Sequence, residues 1–416
     1  MGLAELTQAA RRASRREGSW ALALLLLASL PDLTTMVPDF NLDVGSLTIH
    51  PLDVVAAVLV VTGAIRLVSR PRVGLVAGAL VAVWLPLLIG AAWGASDFGF
   101  QVAVNASRSM FYGLAVLTYA LATRRDWARC DLLAVVPATM VLLVCCVLRI
   151  AQDGVLLRGG VEEDTTRFDQ RPVTASGALL LLMVAILLLT SSRRVERWQW
   201  TGAAGLIVLL VVVQQRTVWF CVPVCVVVWL VSSWQSTRGG ATGGGDGPEV
   251  SRRTLGVLAG AMLAVGVAIV AIPALRRSAT DGGTFRWRVH QWQDGLASLA
   301  DPFHWLIGVP RGSLRRFWGT TQADGSEYYK PPTGLTTHSF YVDTLLYVGV
   351  IGLIGVLILL LVSASWRRRH SWVTQAGMLT LVSAVLVYGV TYFLPTFAFF
   401  VVGMGLWGTA NRKLPR

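Results

Sequence analysis

The chain has 416 residues, 54% of them hydrophobic and only 14% charged, with a mean hydropathy of +0.61. Usage this apolar leaves little room for a soluble domain. The formal charge of +13 does not mark a nucleic-acid partner, because the basic residues stand in clusters between apolar runs instead of covering one polar face.

Taken in chain order, apolar windows long enough to cross a hydrocarbon core about 30 Å thick recur throughout. They lie near 20–37, 51–67, 73–94, 107–123, 132–150, 173–191, 199–215, 217–234, 254–274, 339–364, 372–391 and 394–411. This predicts an all-α polytopic membrane protein of about twelve transmembrane helices, a single integral membrane domain over 1–416. Arginines precede the first window, but no small-residue cleavage site follows it, so it reads as a retained helix and not a removed signal peptide.

The basic clusters set the expected orientation, since short cytoplasmic loops hold the Arg and Lys excess. Arg11, Arg12, Arg15 and Arg16 precede span one; Arg66, Arg70 and Arg72 follow span two; Arg124, Arg125 and Arg129 follow span four. Arg193, Arg194 and Arg197, then Arg238, Arg252 and Arg253, then Arg367 to Arg369, and finally Arg412 and Lys413 continue the alternation. Both termini are therefore expected in the cytoplasm. Within this layout 235–253, containing "STRGGATGGGDGPEV", is a flexible cytoplasmic loop without the Gly-Lys-Ser/Thr ending of a phosphate loop. Residues 275–338 form the one large outward loop, with interfacial helices in it, and are where extracytoplasmic chemistry is expected. Five cysteines, Cys130, Cys145, Cys146, Cys221 and Cys225, show neither a disulfide framework nor CxxC spacing, and no internal repeat is visible.

Charged groups at membrane depth cost about 2.5–3.5 kcal/mol on insertion scales and so need a partner or a purpose. Arg216, in "VVVQQRTVWF", sits at a very tight outward turn; alone, it is also what a snorkelling arginine looks like. In "GGTFRWRVHQWQDGLASL" the residues Phe285, Val289, Trp292, Leu296 and Leu299 make an apolar stripe. Arg286, His290 and Asp294 point away from it, and Arg288 flanks it, as on a helix lying in the membrane interface or a plain surface helix. "HWLIGVPRGSLRRF" predicts a tight turn bringing Arg311 and nearby amides toward the membrane. In "TTHSFYVDTLLYVGVIGL", a helix from about His338 puts Val342, Leu345, Gly349 and Gly352 on the face of the imidazole, with Tyr341 and Asp343 available to orient it. A lone histidine there is also a satisfied interfacial residue. Together, two outward arginines suit a diphosphate and one nearby base suits activation of an alcohol. A lipid-linked diphosphate fits both depth and charge.

Three of these segments carry a family resemblance: "QQRTVWF", then "RVHQWQDGL" with "LIGVPRGSL", then "THSFYVDTLLYVGVIGLIG". They resemble the O-antigen ligase and Wzy-type polymerase superfamily, bacterial membrane glycosyltransferases with twelve helices and a long outward loop before the tenth. The resemblance places the family's essential arginines on Arg216 and Arg288 and its essential histidine on His338. Arg286, Arg311, Tyr341 and Trp292 become candidates for substrate binding. Gln215 stands where the family often has Ser, and Pro310 and Arg311 where "GVGPG" is typical.

What the resemblance implies is a transferase of the bacterial inner membrane, with its active site facing the periplasm. It moves a glycan from undecaprenyl diphosphate to an acceptor hydroxyl on a glycan or glycolipid. No metal or cofactor is expected, because diphosphate is already a good leaving group. Two other readings compete. A metal-dependent polyprenyl-phosphate-sugar glycosyltransferase needs paired acids in the first outward loop, where Asp39 and Asp43 stand in "PDFNLDVGS". A lipid-linked glycan flippase needs carboxylates deep in helices, and the cores of spans three, five, six and nine have none.

Overall fold

The computed structural model describes residues 19–44, 47–68, 74–122, 130–153, 172–190, 196–213, 215–239, 283–299, 301–313, 315–316, 319–321, 327–329, 333–334, 337–364 and 375–410. It is mostly helical, at 85%. In chain order the helices are α1 (Ser19–Ala28), α2 (Leu30–Leu33), α3 (Pro51–Val68), α4 (Gly74–Phe98), α5 (Phe100–Ala122), α6 (Cys130–Asp153) and α7 (Ala175–Thr190). They continue with α8 (Arg197–Val213), α9 (Arg216–Gly239), α10 (Gly283–Ala297), α11 (Pro302–Ile307), α12 (Phe340–Ala364), α13 (Gln375–Thr391) and α14 (Thr396–Ala410).

Among the described residues four stretches are long and apolar enough to cross a membrane: Pro51–Val68, Gly74–Phe98, Ala134–Gln152 and Phe340–Ala364. Six shorter apolar helices accompany them, and α5 covers the fourth window. The exposed Val, Leu, Ile and Phe side chains of α3, α4, α6 and α9 give these helices an apolar outer surface, as a bilayer demands. The ninth window, 254–274, residues 240–253 of the expected loop 235–253 and most of the basic clusters lie outside the described residues, while 235–239 are helical as the end of α9.

The mostly helical architecture agrees with the all-α expectation, and three small antiparallel ladders accompany the helices among the described residues. β1 (Leu42–Val44) pairs with β2 (Leu47–Ile49); β3 (Arg315–Arg316) pairs with β6 (Thr333–Gly334); β4 (Gly319–Thr321) pairs with β5 (Glu327–Tyr329). Two were signalled by turn chemistry, Gly45-Ser46 between alternating residues and Asp324-Gly325 between short β-rich runs.

α7 is buried at nearly every position and forms the centre, which is why it is apolar all round. Around it the helix ends meet at one end of the bundle. Thr174 N donates to Leu33 O, Gln215 Nε2 to Val173 O (3.2 Å), and Phe340 N to Tyr392 O (3.2 Å). These bonds satisfy groups that helix termini otherwise leave orphaned.

α12 is broken at Gly349 (φ 66°, ψ −172°), where its ladder is interrupted by the segment after α11. Val309 N donates to Leu346 O at 2.8 Å, taking a carbonyl that a continuous helix would use. Only glycine serves at 349: the φ is left-handed, and a Cβ would lie 2.2 Å from Leu306 O. The same segment approaches α4, where Arg311 N donates to Gly90 O at 2.9 Å.

Candidate functional site

His338 precedes α12 instead of lying on it. The helix starts at Phe340, Asp343 N donates to Ser339 O at 2.8 Å, and His338 has φ 55°. The shared helical face expected from His338 to Gly352 is therefore replaced by a turn. A left-handed φ is uncommon outside glycine and persists only where neighbours over-determine it. Here the flanking Thr337, fully buried, is held from both sides: its N–H donates to Asp343 Oδ1 at 2.9 Å, and its carbonyl accepts from Trp292 Nε1 at 2.8 Å.

The turn delivers the imidazole to Tyr392. The two rings meet edge to face at 6.1 Å, and the Arg288 guanidinium lies over the same tyrosine, 4.6 Å from its centroid. Tyr388, one turn earlier in α13, stacks on Tyr392 at 5.3 Å, with its hydroxyl 3.4 Å from Ser176 Oγ at the start of α7. Thr391, the neighbour of Tyr392, meets Thr217 Oγ1 at 2.8 Å, which brings in the start of α9 and half-buried Arg216 beside Thr217. Arg288 and His338, widely separated in the chain, thus meet on Tyr392, and Thr217, next to Arg216, touches the residue before that tyrosine.

Burial, and then the positive charge of Arg288, hold the His338 pKa below its ordinary 6.5. The ring is consequently neutral at physiological pH and able to accept a proton. Among the described residues the buried Arg288 Nε has no hydrogen-bond partner, so the guanidinium over the aromatic face keeps unused donor capacity.

The substrate-binding candidates divide. Trp292 and Tyr341 spend their polar atoms on backbone carbonyls, Thr337 O and Leu386 O (2.9 Å), and so build the frame. Arg311 is 1% exposed, its guanidinium over the Tyr347 ring at 4.3 Å, and burial lowers its pKa to about 10. It faces the bundle interior, not an open pocket. Arg286 lies on α10, but its side chain is outside the described residues. Tyr341 was expected to orient the imidazole and instead reaches α13; Asp343 acts on the amide next to His338.

Elsewhere, Asp39 is exposed and Asp43 accepts from Thr48 Oγ1 at 2.8 Å. A second polar cluster joins α3 and α5: Arg108 Nη2 lies 3.2 Å from Asp53 Oδ2, and Tyr112 donates to Asp53 Oδ1 at 2.6 Å. Among the described residues no three His, Cys, Asp or Glu side chains gather as a metal site requires. Tyr392, Tyr388, Thr217 and Ser176 were not singled out from sequence; the aromatic pair at the helix end, "YGVTYF", was the available signal. The chain matches no family model, no curated protein and no solved structure.

Proposed function

We propose that this chain is a membrane glycosyltransferase that moves a glycan from undecaprenyl diphosphate to an acceptor hydroxyl, in the manner of O-antigen ligases and Wzy-type polymerases. In this reading about twelve spans cross the bacterial inner membrane, both termini are cytoplasmic, and the His338 end of the bundle faces the periplasm. The observation that carries it is the meeting of Arg288 and His338 on one tyrosine ring, while Arg216 is the chain neighbour of Thr217, which touches Thr391 next to that tyrosine.

The chemistry then follows from the side chains. The acceptor oxygen attacks the anomeric carbon as its proton passes to the neutral imidazole of His338, a role typically worth about 10²–10⁴ in rate. The bond from that carbon to the phosphate oxygen breaks, and its electron pair leaves on undecaprenyl diphosphate. Arg216 and Arg288 hold the diphosphate and stabilise the negative charge that grows there. No general acid is needed for so good a leaving group.

An apolar groove supports the lipid part of the reading. It is a shallow, partly open groove between α7, α8, α9 and α13, with Leu182, Ile207, Val222 and Trp229 among its lining. Val222 lies six residues below Arg216 on α9, about 9 Å at the helical rise, so a prenyl chain can descend from the arginine into it.

The test is transfer by the purified chain in nanodiscs, supplied with undecaprenyl-diphosphate-linked glycan and an acceptor. Release of undecaprenyl diphosphate coupled to glycan on the acceptor is expected, undiminished by EDTA. Absence of release refutes the reading, and dependence on a divalent ion favours the metal-dependent class. The glycan chain-length pattern of a deletion strain separates the two types: only single repeats indicate a polymerase, and accumulated full-length lipid-linked chains a ligase.

A further inference from the structure

Asp343 and Arg311 are two buried ionisable residues that the proposed chemistry does not use, and each is 1% exposed. A carboxylate in the first turn of a helix ordinarily stays in solvent, where it complements the helix dipole. This one is turned inward and reaches back six residues to accept the Thr337 N–H. Among the described residues its second oxygen, Oδ2, and the Nε and Nη2 of Arg311 have no hydrogen-bond partner. For stability alone a buried carboxyl group is a poor solution, since well-packed apolar residues do as well or better. What it does accomplish is local: with Trp292 on the Thr337 carbonyl, it clamps the peptide units that lead into the left-handed His338.

We propose that Asp343 is a positioning residue for His338: it grips the Thr337 amide and so fixes the turn that presents the imidazole to Tyr392 and Arg288. Its catalytic consequence rests on the function proposed above; the conformational claim stands without it.

The test uses two double variants of the full chain in nanodiscs. Arg311→Met/Asp343→Leu replaces both charges by apolar groups of similar bulk, Met keeping a soft contact on the Tyr347 ring. Arg311→Met/Asp343→Asn also removes both charges but keeps an oxygen able to accept from Thr337. Two readouts are taken, the rate of His338 carbethoxylation by diethyl pyrocarbonate, located by mass spectrometry, and the kcat and KM of transfer. The Leu variant is expected to unfold at the wild-type temperature, to change the His338 modification rate several-fold, and to lose about 10²-fold in kcat with the donor KM little altered. The Asn variant is expected to regain at least tenfold of that kcat and the wild-type modification rate.

A folded Leu variant with wild-type reactivity and kcat overturns the proposal, as does an Asn variant that falls equally far. If the Leu variant does not fold, Trp292→Phe releases the other side of the same turn, and unchanged His338 reactivity there overturns it too. Should the wild-type chain transfer no glycan, the functional reading fails, while the ordering of modification rates still decides the positioning claim.

Discussion

His338 is the residue on which the chemistry and the backbone make separable demands. It sits at φ 55°, so replacement by alanine combines loss of the ring with about 1–2 kcal/mol of left-handed strain. Asparagine and glycine tolerate that region and remove the ring alone. A general base worth about 10²–10⁴ in rate corresponds to about 2.7–5.4 kcal/mol of barrier at 1.36 kcal/mol per tenfold. His338→Asn and His338→Gly are therefore expected to lose at least a hundredfold in single-turnover transfer while unfolding at the wild-type temperature. His338→Ala is expected to lose the same rate and also to unfold earlier. Single-turnover kinetics and thermal unfolding in nanodiscs read the two effects independently. More than a tenth of wild-type rate in His338→Asn refutes the general-base role, and an alanine variant as stable as the asparagine one refutes the strained turn.

Arg288→Gln removes the charge that, after burial, keeps His338 below its ordinary pKa of 6.5, so the group protonates more readily. Because the neutral ring is the active form, the acid limb of the kcat profile moves to higher pH; a limb that stays or moves down refutes the coupling. Thr217→Val and Thr391→Val each break the 2.8 Å contact between α9 and α13. Their double-mutant cycle is expected to show about 1 kcal/mol of coupling in chemical denaturation, and strict additivity means the hydroxyls do not meet. Gly94→Ala places a Cβ 2.0 Å from the Arg311 carbonyl oxygen, a backbone atom that no rotamer change can move. A loss of about 1–3 kcal/mol is expected from such overpacking, and unchanged thermal stability means that α4 and the loop part freely.

Most of the helical layout was legible because bilayer length and apolarity are properties of consecutive residues. Helices stand at every predicted window the described residues cover, and α5 is recognisable despite Asn105, Ser107 and Arg108 near its start. The site was legible only as separate pieces. Nothing local says that Tyr392, which ends one helix, will receive the guanidinium from α10 and the imidazole before α12. The start of α12 was placed two residues early, although Ser339 before an apolar run is a cap signal. That shift matters physically, since it turns His338 from a helical side chain into a residue whose direction is set by a turn. Asp343 was visible as an acid near the histidine, but nothing local says that it turns inward to accept the Thr337 N–H.

The departures of "GVPRGS" from the pattern it resembles have a structural counterpart in α4. Where a glycine-rich turn would need little room, this chain inserts a fully buried arginine and must accommodate its backbone as well as its guanidinium. Gly90 supplies the carbonyl that receives the Arg311 N–H, and Gly94 lets the Arg311 peptide approach closer than any side chain would allow. On the opposite side the broken helix contributes the Leu346 carbonyl to Val309 and the Tyr347 ring to the guanidinium. Pro310, with no N–H to satisfy, sits between two residues whose amides are both taken. Arginine, glycines and kink are thus mutually dependent, for each would be costly without the others: an unpaired buried charge, helix-weakening glycines, and an orphaned carbonyl.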